Sequence, residues 1–282
     1  MKLLQDKRAL VSGVANEWSI AWAIAKALHG AGARVAFTCI EKNLRRVRRL
    51  ARTLDAETVI PCDARDDAQL DAVFAALDHE WSALDVLVHA MAFARTEDLQ
   101  GSFVNTTREG FHTALDASSY TLIAMSQRAR PLMRARGGSI ITLTFHGGER
   151  VVPGYNVMGV AKAALNMAVR YLAYDLGPDQ IRVNAISAGP MKTLSSAAVG
   201  GIDEALVAAS AHSPLRRAAI QDDVGDAAVF LASDHARAVT GEVLHVDAGL
   251  SILGAVRPGA HAAVMEDAGQ RLVLAVAKRT GP

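Results

Sequence analysis

The sequence predicts a doubly wound α/β fold, in which a single parallel sheet of about seven strands carries helices on both faces. Two observations predict it. Short apolar runs alternate with longer helical segments along most of the chain, as in folds whose parallel strands are joined by right-handed crossovers. Several of the short runs are continuous in Val, Ile, Leu and Ala, which is typical of strands buried on both faces.

The predicted elements follow one another without a linker or a repeat. The candidate strands are 9–12, 34–39, 58–61, 86–90, 139–144, 182–186 and 243–246. The candidate helices are 19–30, 42–53, 66–80, 109–134, 155–176 and 221–233. The helix from residue 155 has the clearest ends: Pro153 and Gly154 precede it, Gly177 suits a left-handed C-cap, and Pro178 cannot continue it.

The composition is that of a globular chain with little charge bias. Of 282 residues, 51% are apolar and 21% are charged, so a large core can be buried. The 30 basic and 29 acidic side chains leave a net charge of +1, which gives no long-range attraction for nucleic acid or anionic lipid. No apolar run reaches the roughly 20 residues of a membrane helix. We expect a cytoplasmic enzyme with no nucleic-acid or membrane partner.

The two cysteines, Cys39 and Cys62, are too few for a disulfide framework or a four-cysteine zinc site. We interpret them as small buried fillers in a protein of a reducing compartment, and we expect no metal site. The charges near the N-terminus interrupt any apolar run too early for a signal peptide.

Ligands of doubly wound folds bind at the carboxyl ends of the strands, so the residues after each strand are the candidates for chemistry. Gly13 follows the first strand, where a tight turn favours a residue without a Cβ. Ser19 can cap the next helix, whose N-terminus favours a phosphate. Only the first glycine of a G-x-G-x-x-G loop is present, and an ordinary capped turn is the alternative interpretation.

The ends of the second and third strands bear on the choice of cofactor. Glu41 favours NADH, since an acid there binds the adenosine ribose and would repel a 2′-phosphate. The following helix is rich in arginine, which leaves NADPH possible unless those arginines form a solvated face. Asp63, after the third strand, is either an acceptor for the adenine amino group or a helix cap.

Tyr155 and Lys162 lie seven residues apart after the fifth strand. On an α-helix this spacing is nearly two turns, about 10 Å along the axis, so both lie on one face. A lysine near a tyrosine lowers the cost of negative charge on the phenol and can hold ribose hydroxyls. A lone Tyr–Lys pair on a helix is most often accidental, but its place at the carboxyl edge of a Rossmann-like sheet that already suggests dinucleotide binding favours a functional pair.

With this pair the sequence resembles the short-chain dehydrogenase/reductase superfamily and, within it, the NADH-dependent enoyl-acyl-carrier-protein reductases of bacterial fatty-acid synthesis. The matching segments are GVANEWSIAWAIAKAL at 13–28, CDA at 62–64, HAMAFA at 89–94, TREGF at 107–111, SSY at 118–120, PGYNVMGVAKAAL at 153–165, RVNAISAGPMKTL at 182–194 and TGEVLHVDAGLSI at 240–252. Ordinary ketoreductases of the superfamily have their lysine four residues after the tyrosine, where this chain has Gly159. The resemblance covers roughly residues 3–252, so we expect a reductase domain over 1–253 and an extension of unknown role over 254–282.

The resemblance implies hydride transfer from NADH to Cβ of a trans-2-enoyl thioester carried by acyl carrier protein, in a homotetramer. Tyr155 would stabilise the enolate and Lys162 would hold the nicotinamide ribose. The implied substrate contacts are Ala94, Phe145 and Met158. The implied cofactor contacts are Gly13, Ser19, Ile20, Ile40, Asp63, Ala64, Met91, Lys162, Met191, Lys192, Thr193, Leu194 and Ser195.

Three features depart from the family pattern. Phe145 stands where the family has a second tyrosine, ten residues before the catalytic one, and the next residue, His146, is either an exposed loop histidine or a substitute donor. Ile40 replaces a residue that is often polar. Asp203 and Glu204 lie where basic residues would meet the acidic carrier. Alternatives are therefore a reductase of another enone, a carbonyl or enoyl-coenzyme A, or a weakly catalytic cofactor-binding paralogue.

Overall fold

The computed structural model describes residues 2–193 and 202–254, with Glu204 described by its backbone alone. Within these residues lies one seven-stranded sheet with the order β3-β2-β1-β4-β5-β6-β7, and every neighbouring pair is parallel. The strands are β1 (Arg8–Ser12), β2 (Arg34–Cys39), β3 (Val59–Pro61), β4 (Val86–His89), β5 (Gly138–Thr144), β6 (Ile181–Ala188) and β7 (Val243–Val246). The predicted fold class is confirmed, and the strand order reverses between β1 and β4.

The α-helices of the described residues connect these strands. They are α1 (Ile20–Gly30), α2 (Leu44–Arg52), α3 (Asp67–Trp81), α4 (Thr96–Leu99), α5 (Arg108–Leu115), α6 (Thr121–Met133), α7 (Asn156–Leu176), α8 (Ile202–His212) and α9 (Gln221–Ala232). A π-helical turn, Asp116–Tyr120, joins α5 to α6. No helix among the described residues combines the length and the apolar character that a membrane crossing requires.

Two apolar cores sandwich the sheet, which explains the continuous apolar strands. Val86 and Val88 of β4 pack into the core shared with α1, α2 and α9, whereas Leu87 between them packs into the core shared with α3, α6 and α7. Successive side chains of a strand point to opposite faces, so a strand covered on both faces needs apolar residues at every position.

The structure corrects two helix predictions. The predicted helix 109–134 is interrupted by the π-helical turn, because Ser118 and Ser119 in that turn bond to residues distant in sequence. Gly177 is not a left-handed cap: its φ is −54°, and the chain continues through a 3-10 turn to Gln180, whose φ is +58°. Pro178 fits the start of that 3-10 turn, so the cap moves three residues downstream.

Helices α4 and α8 were not among the predicted segments. Residues 255–282, which include most of the predicted extension and its apolar stretch at 272–277, lie outside the described residues. The proposed division at 253/254 therefore stays a prediction.

Candidate active site

The loops after β1 and β4 meet at the point where the strand order reverses. Gly13 has a φ of +84°, and a Cβ at this position would collide with the carbonyl group of Ala90 and lie 3.3 Å from Cγ of Met91. A side chain is therefore excluded at Gly13 by both backbone conformation and space. The structure thus brings together Gly13 and Met91, two of the predicted cofactor contacts.

Ser19 lies at the N-cap position of α1, but its side chain does not cap the helix. The hydroxyl instead donates a 2.6 Å hydrogen bond back to the carbonyl oxygen of Asn16 in the preceding loop. The capping prediction is therefore wrong, because the loop carbonyl competes successfully for the serine hydroxyl. Ile20 begins the helix directly after it, and the first amides of α1 have no side-chain cap.

Asp63 follows β3 but does not cap the next helix, so that alternative is wrong. The cap of α3 is Asp66, which accepts hydrogen bonds from the amides of Ala68 and Gln69. The Asp63 carboxylate is bound by Arg65 Nη2 at 2.6 Å and Nε at 3.0 Å, and this pairing lowers its pKa. Contact of Asp63 and the buried Ala64 with an adenine stays a prediction.

The ends of β2 and β3 also place the two cysteines. Cys39 and Cys62 are both buried free thiols, and burial raises the pKa of each to about 11. Such thiols are protonated and unreactive at neutral pH, as expected of fillers. Ile40 and the next residue, Glu41, are both exposed at the edge of this region.

Tyr155 occupies the residue just before α7 and packs against the loop that follows β5. The ring of Phe145 meets it nearly edge-on, with centroids 5.0 Å apart, and a Cβ on Gly147 would lie 2.5 Å from the Tyr155 ring. The spacing of the pair in the sequence predicts that Lys162 favours negative charge on this phenol. The structure shows the opposite effect: burial of the phenol raises the Tyr155 pKa above its ordinary value. The side chain is therefore a neutral O–H donor at neutral pH.

Lys162 is buried on α7, and its Nζ donates a 2.7 Å hydrogen bond to the carbonyl oxygen of Leu143 on β5. Burial lowers the Lys162 pKa to about 8. Gly148 lets the loop approach this part of the helix, since a Cβ there would lie 2.8 Å from the Lys162 backbone. Tyr155 just before α7 and Lys162 in its second turn therefore both contact the end of β5 or the loop that follows it.

An apolar cluster lies beside the pair. Ala94, Tyr155 and Met158 all pack in it, with Leu99, Ala114, Leu115, Val157 and Ala161 completing the cluster. Ser118 of the π-helical turn approaches the Met158 sulfur at 3.8 Å and accepts a 3.0 Å hydrogen bond from the Phe93 amide. The structure therefore brings the predicted substrate residues Ala94 and Met158 to Tyr155, whose ring also contacts Phe145.

The loop after β6 supplies the remaining candidates. Met191 is buried, and the exposed Lys192 pairs with Asp203 at 3.0 Å. Thr193 is the last described residue before the gap, so Leu194 and Ser195 lie outside the described residues. His146 is half-buried rather than exposed, and its Nδ1 has no hydrogen-bond partner in the described part of the chain.

Two residues that the sequence analysis missed hold this site together. Asn156 has a φ of +42°, and its amide group donates to the carbonyl oxygens of Leu99 and Gly101, each at 3.1 Å. Gln221 donates to the carbonyl oxygens of Trp18 and Lys192 at 3.4 and 3.3 Å, and so links the loops after β1 and β6. A polar residue directly after the candidate tyrosine was the only signal for Asn156, and nothing in the sequence pattern marked Gln221.

Comparison with known proteins identifies the relatives of this site. A family described as Enoyl-(Acyl carrier protein) reductase matches residues 13–251. The chain is 51% identical over 257 residues to enoyl-(acyl-carrier-protein) reductase (NADH) FabI of Bacillus cereus, covering 90% of this chain and 100% of that protein. It is 50% identical over 255 residues to the protein of the same name from Nostoc sp., covering 89% and 98% respectively.

Solved structures agree. A crystal structure of the Bacillus cereus enoyl-acyl carrier protein reductase with NADP+ and indole naphthyridinone superposes with a TM-score of 0.89 at 51% identity, covering 90% of this chain and 100% of that one. The enoyl-(acyl-carrier-protein) reductase (NADH) of Aquifex aeolicus superposes with a TM-score of 0.88 at 47% identity, with the same coverage.

Proposed function

The chain belongs to the enoyl-(acyl-carrier-protein) reductase family of oxidoreductases, and from this membership we propose that it reduces the trans-2 double bond of enoyl thioesters with hydride from NADH. The observation that carries the proposal is the arrangement at the end of β5. There, a protonated Tyr155 lies beside an apolar cluster, and the buried Lys162 of the helix that follows it donates a hydrogen bond to Leu143.

The residues at the strand ends fit a reduced dinucleotide. Gly13 leaves the space that a close backbone approach to a pyrophosphate requires, and the first turn of α1 offers amides without a side-chain cap. Thr144, at the end of β5, is buried and its hydroxyl has no hydrogen-bond partner among the described residues. Gly13, Ile20, Met91 and Lys162 would hold the cofactor, and when bound it supplies the hydride.

Tyr155 would act on the thioester carbonyl. Addition of hydride at Cβ moves charge to the thioester oxygen, and an O–H donor held against that oxygen stabilises the resulting enolate. Its raised pKa suits this role, because the hydroxyl keeps its hydrogen until charge develops. Phe145 packs on the ring and can fix its orientation, but it cannot donate a second hydrogen bond.

Lys162 would bind ribose hydroxyls with the ammonium group that now bonds Leu143. Its pKa of about 8 leaves it largely protonated at pH 7. The cluster of Ala94, Met158 and their neighbours would exclude water from the acyl chain near its thioester. The carrier of that thioester is proposed to be acyl carrier protein, as named in the relatives, with coenzyme A as the alternative.

The oxidation of reduced nicotinamide, followed by its absorbance, tests this function directly. We expect crotonyl and longer enoyl thioesters to be reduced, and NADH to be preferred over NADPH. A control with saturated thioesters should show no oxidation of the cofactor. Reduction of ketones but not of enoyl thioesters would instead establish the alternative of a carbonyl reductase.

We also propose a homotetramer in the cytoplasm. The outer face of α7 exposes Met167, Tyr171 and Tyr174 at a spacing that forms one apolar stripe. Ala163 is exposed nearby, whereas Ala124 of α6 is buried in the chain's own core and would not contribute. Light scattering at micromolar concentration should give a tetramer mass. Tyr171→Glu should reduce that mass, and a monomeric wild-type protein would contradict the proposal.

A further inference from the structure

His89 is a fully buried histidine at the end of an otherwise apolar strand. It shares the sheet face of Leu87, which packs against α6 and α7. Both ring nitrogens have partners: Nδ1 lies 2.8 Å from the hydroxyl of Thr142 on β5, and Nε2 lies 2.9 Å from the hydroxyl of Thr121 at the start of α6. None of the roles proposed above uses this residue.

The hydrogen bonds of Thr121 favour one position for the proton of His89. The Thr121 hydroxyl donates its one hydrogen to the carbonyl oxygen of Ala117, 3.0 Å away. It must therefore accept a hydrogen bond from Nε2–H of His89. Nδ1 of the neutral ring then accepts from the Thr142 hydroxyl. Burial and the nearby positive charge of Lys162 both favour this neutral form, lowering the His89 pKa to about 3.

The two hydrogen bonds of His89 connect it to the backbone segments that contact Lys162 and its neighbour Ala161. On one side, Thr142 is followed in β5 by Leu143, whose carbonyl oxygen accepts from Lys162 Nζ. On the other side, Thr121 bonds to Ala117 in the π-helical turn, Asp116–Tyr120. Ser119 of that same turn donates a 2.6 Å hydrogen bond to the carbonyl oxygen of Ala161, the residue before Lys162.

We propose that His89 is a positioning residue for Lys162. As a neutral Nε2–H imidazole, it ties the end of β5 to the π-helical turn, and so fixes the separation of the two backbone sites that hold the lysine. Extra-residue turns of this kind are often found at functional sites. The proposal rests on the proposed function insofar as Lys162 binds the cofactor, whereas the tautomer is inferred from the hydrogen bonds of Thr121 and does not depend on that function.

His89→Leu tests the proposal, with Asn184→Leu as its matched control. Asn184 is also fully buried and makes two hydrogen bonds, to the Val239 carbonyl at 2.9 Å and from the Glu242 amide at 3.1 Å. Each variant therefore loses two hydrogen bonds of a fully buried side chain, and both should lower Tm. Per folded molecule, only His89→Leu should raise the Kd for NADH and lower kcat, by about tenfold or more, because small displacements of positioning groups are costly.

His89→Gln provides the conservative rescue. A glutamine amide presents a donor group and an acceptor group at its two ends, so NADH affinity and kcat should return to within about threefold of wild type. Equal effects of His89→Leu and Asn184→Leu per folded molecule would overturn the proposal. If His89→Leu does not fold, the near-isosteric Thr142→Val carries the same test, and an unchanged NADH Kd in that variant would equally overturn it.

The tautomer has its own measurement. The ¹⁵N–¹H correlation pattern of His89 in the ligand-free protein should show Nε2–H at pH 7, with assignment by loss of the signal in His89→Gln. A pattern with hydrogen on Nδ1, or on both nitrogens, would overturn the proposal. Wild-type protein that binds NADH and shows the Nε2–H pattern, yet reduces no enoyl thioester, would refute the proposed function and leave this inference standing.

Discussion

The proposed adenosine end of the strand edge and the proposed catalytic end are built from different kinds of contact. After β3, Asp63 is bound by Arg65, two residues away and partly exposed. At β4 and β5, the buried His89 and Lys162 make hydrogen bonds to residues 19 to 53 positions distant. Exposed local pairs contribute little and are readily replaced, whereas loss of a partner in a buried network is costly. We expect substitutions to affect catalysis at one end and cofactor selection at the other.

Tyr155→Phe should have the largest effect at the catalytic end. Loss of an oxyanion donor lowers kcat by about 10²- to 10³-fold, while the Kd for NADH should stay nearly unchanged because the ring still packs on Phe145. Steady-state kinetics and cofactor titration measure the two quantities. Tyr171→Phe, an exposed tyrosine on the same helix, is the control. Turnover of Tyr155→Phe within a few-fold of wild type would exclude Tyr155 as the enolate donor.

The difference between the two ends also explains what the sequence could predict. Tyr155 and Lys162 could be proposed as a pair because their spacing in the sequence is close to two helical turns, and the predicted start of that helix was wrong by only one residue. His89 and Asn156 were not recognised, because their partners on other elements become neighbours only in the folded chain. The fold itself was predictable since strands buried on both faces need apolar residues throughout.

Lys162→Met should weaken NADH binding by about ten- to a hundredfold while stabilising the ligand-free protein. The Lys162 pKa is lowered from 10.5 to about 8 in the folded state. Below about pH 8 the lysine is protonated in both the folded and the unfolded protein. Desolvation of the buried ammonium group then lowers the free energy of unfolding by roughly 3 kcal/mol. Between the two pKa values the unfolded state binds more protons, so this group's penalty shrinks as the pH rises.

Thermal unfolding between pH 7 and pH 10 measures this effect. At pH 7 the Tm of Lys162→Met should exceed that of wild type, and the difference should shrink toward pH 10. The buried cysteines titrate in an overlapping range, so only the difference between the two proteins is diagnostic. Lys26→Met, at an exposed lysine of α1, should show no such trend. A Lys162→Met difference independent of pH would contradict the assigned burial of the ammonium group.

Glu41→Gln should have a smaller effect, at the adenosine end. Removing the negative charge lessens repulsion of a 2′-phosphate, so kcat/KM for NADPH relative to NADH should rise by about three- to tenfold. Arg46 of α2 already reaches the loop after β1, where its Nη1 donates to the Ala15 carbonyl at 3.2 Å. Glu57→Gln, at an exposed acid before β3, is the control. A wild-type enzyme that uses NADPH as well as NADH would refute the role given to Glu41.

Local competition for hydrogen bonds explains why the helix-cap predictions for Ser19 and Asp63 were wrong. Ser19 and Asp63 both had the residue type and position of helix caps, yet Ser19 bonds to Asn16 and Asp63 to Arg65. Exposed polar side chains have several partners of similar energy within a few residues. Sequence position alone therefore could not predict which of those partners the side chain bonds. The buried His89 and Lys162 have few polar groups within reach among the described residues, so their partners are fixed by the fold.

The smallest expected effects concern the carrier and the acyl pocket. Asp203 neutralises Lys192 in an exposed ion pair, so a carrier protein with an acidic surface meets less positive charge at the loop after β6. Charge matching of this kind mainly sets the encounter rate. Replacing Asp203 and Glu204 together with lysine should raise kcat/KM for the carrier-bound substrate about two- to fivefold at low salt, and the gain should shrink as salt screens the charges. Asp222→Lys, at an exposed acid of α9 paired with Lys26, should give no comparable gain. A gain from the double variant that persists at high salt would contradict an electrostatic effect of Asp203 and Glu204 on carrier encounter.

Phe145→Tyr should instead act equally on carrier-bound and coenzyme A-bound substrates, because its ring contacts Tyr155, the proposed donor to the thioester carbonyl. An effect of Phe145→Tyr confined to one carrier would contradict its placement at the reacting end of the substrate.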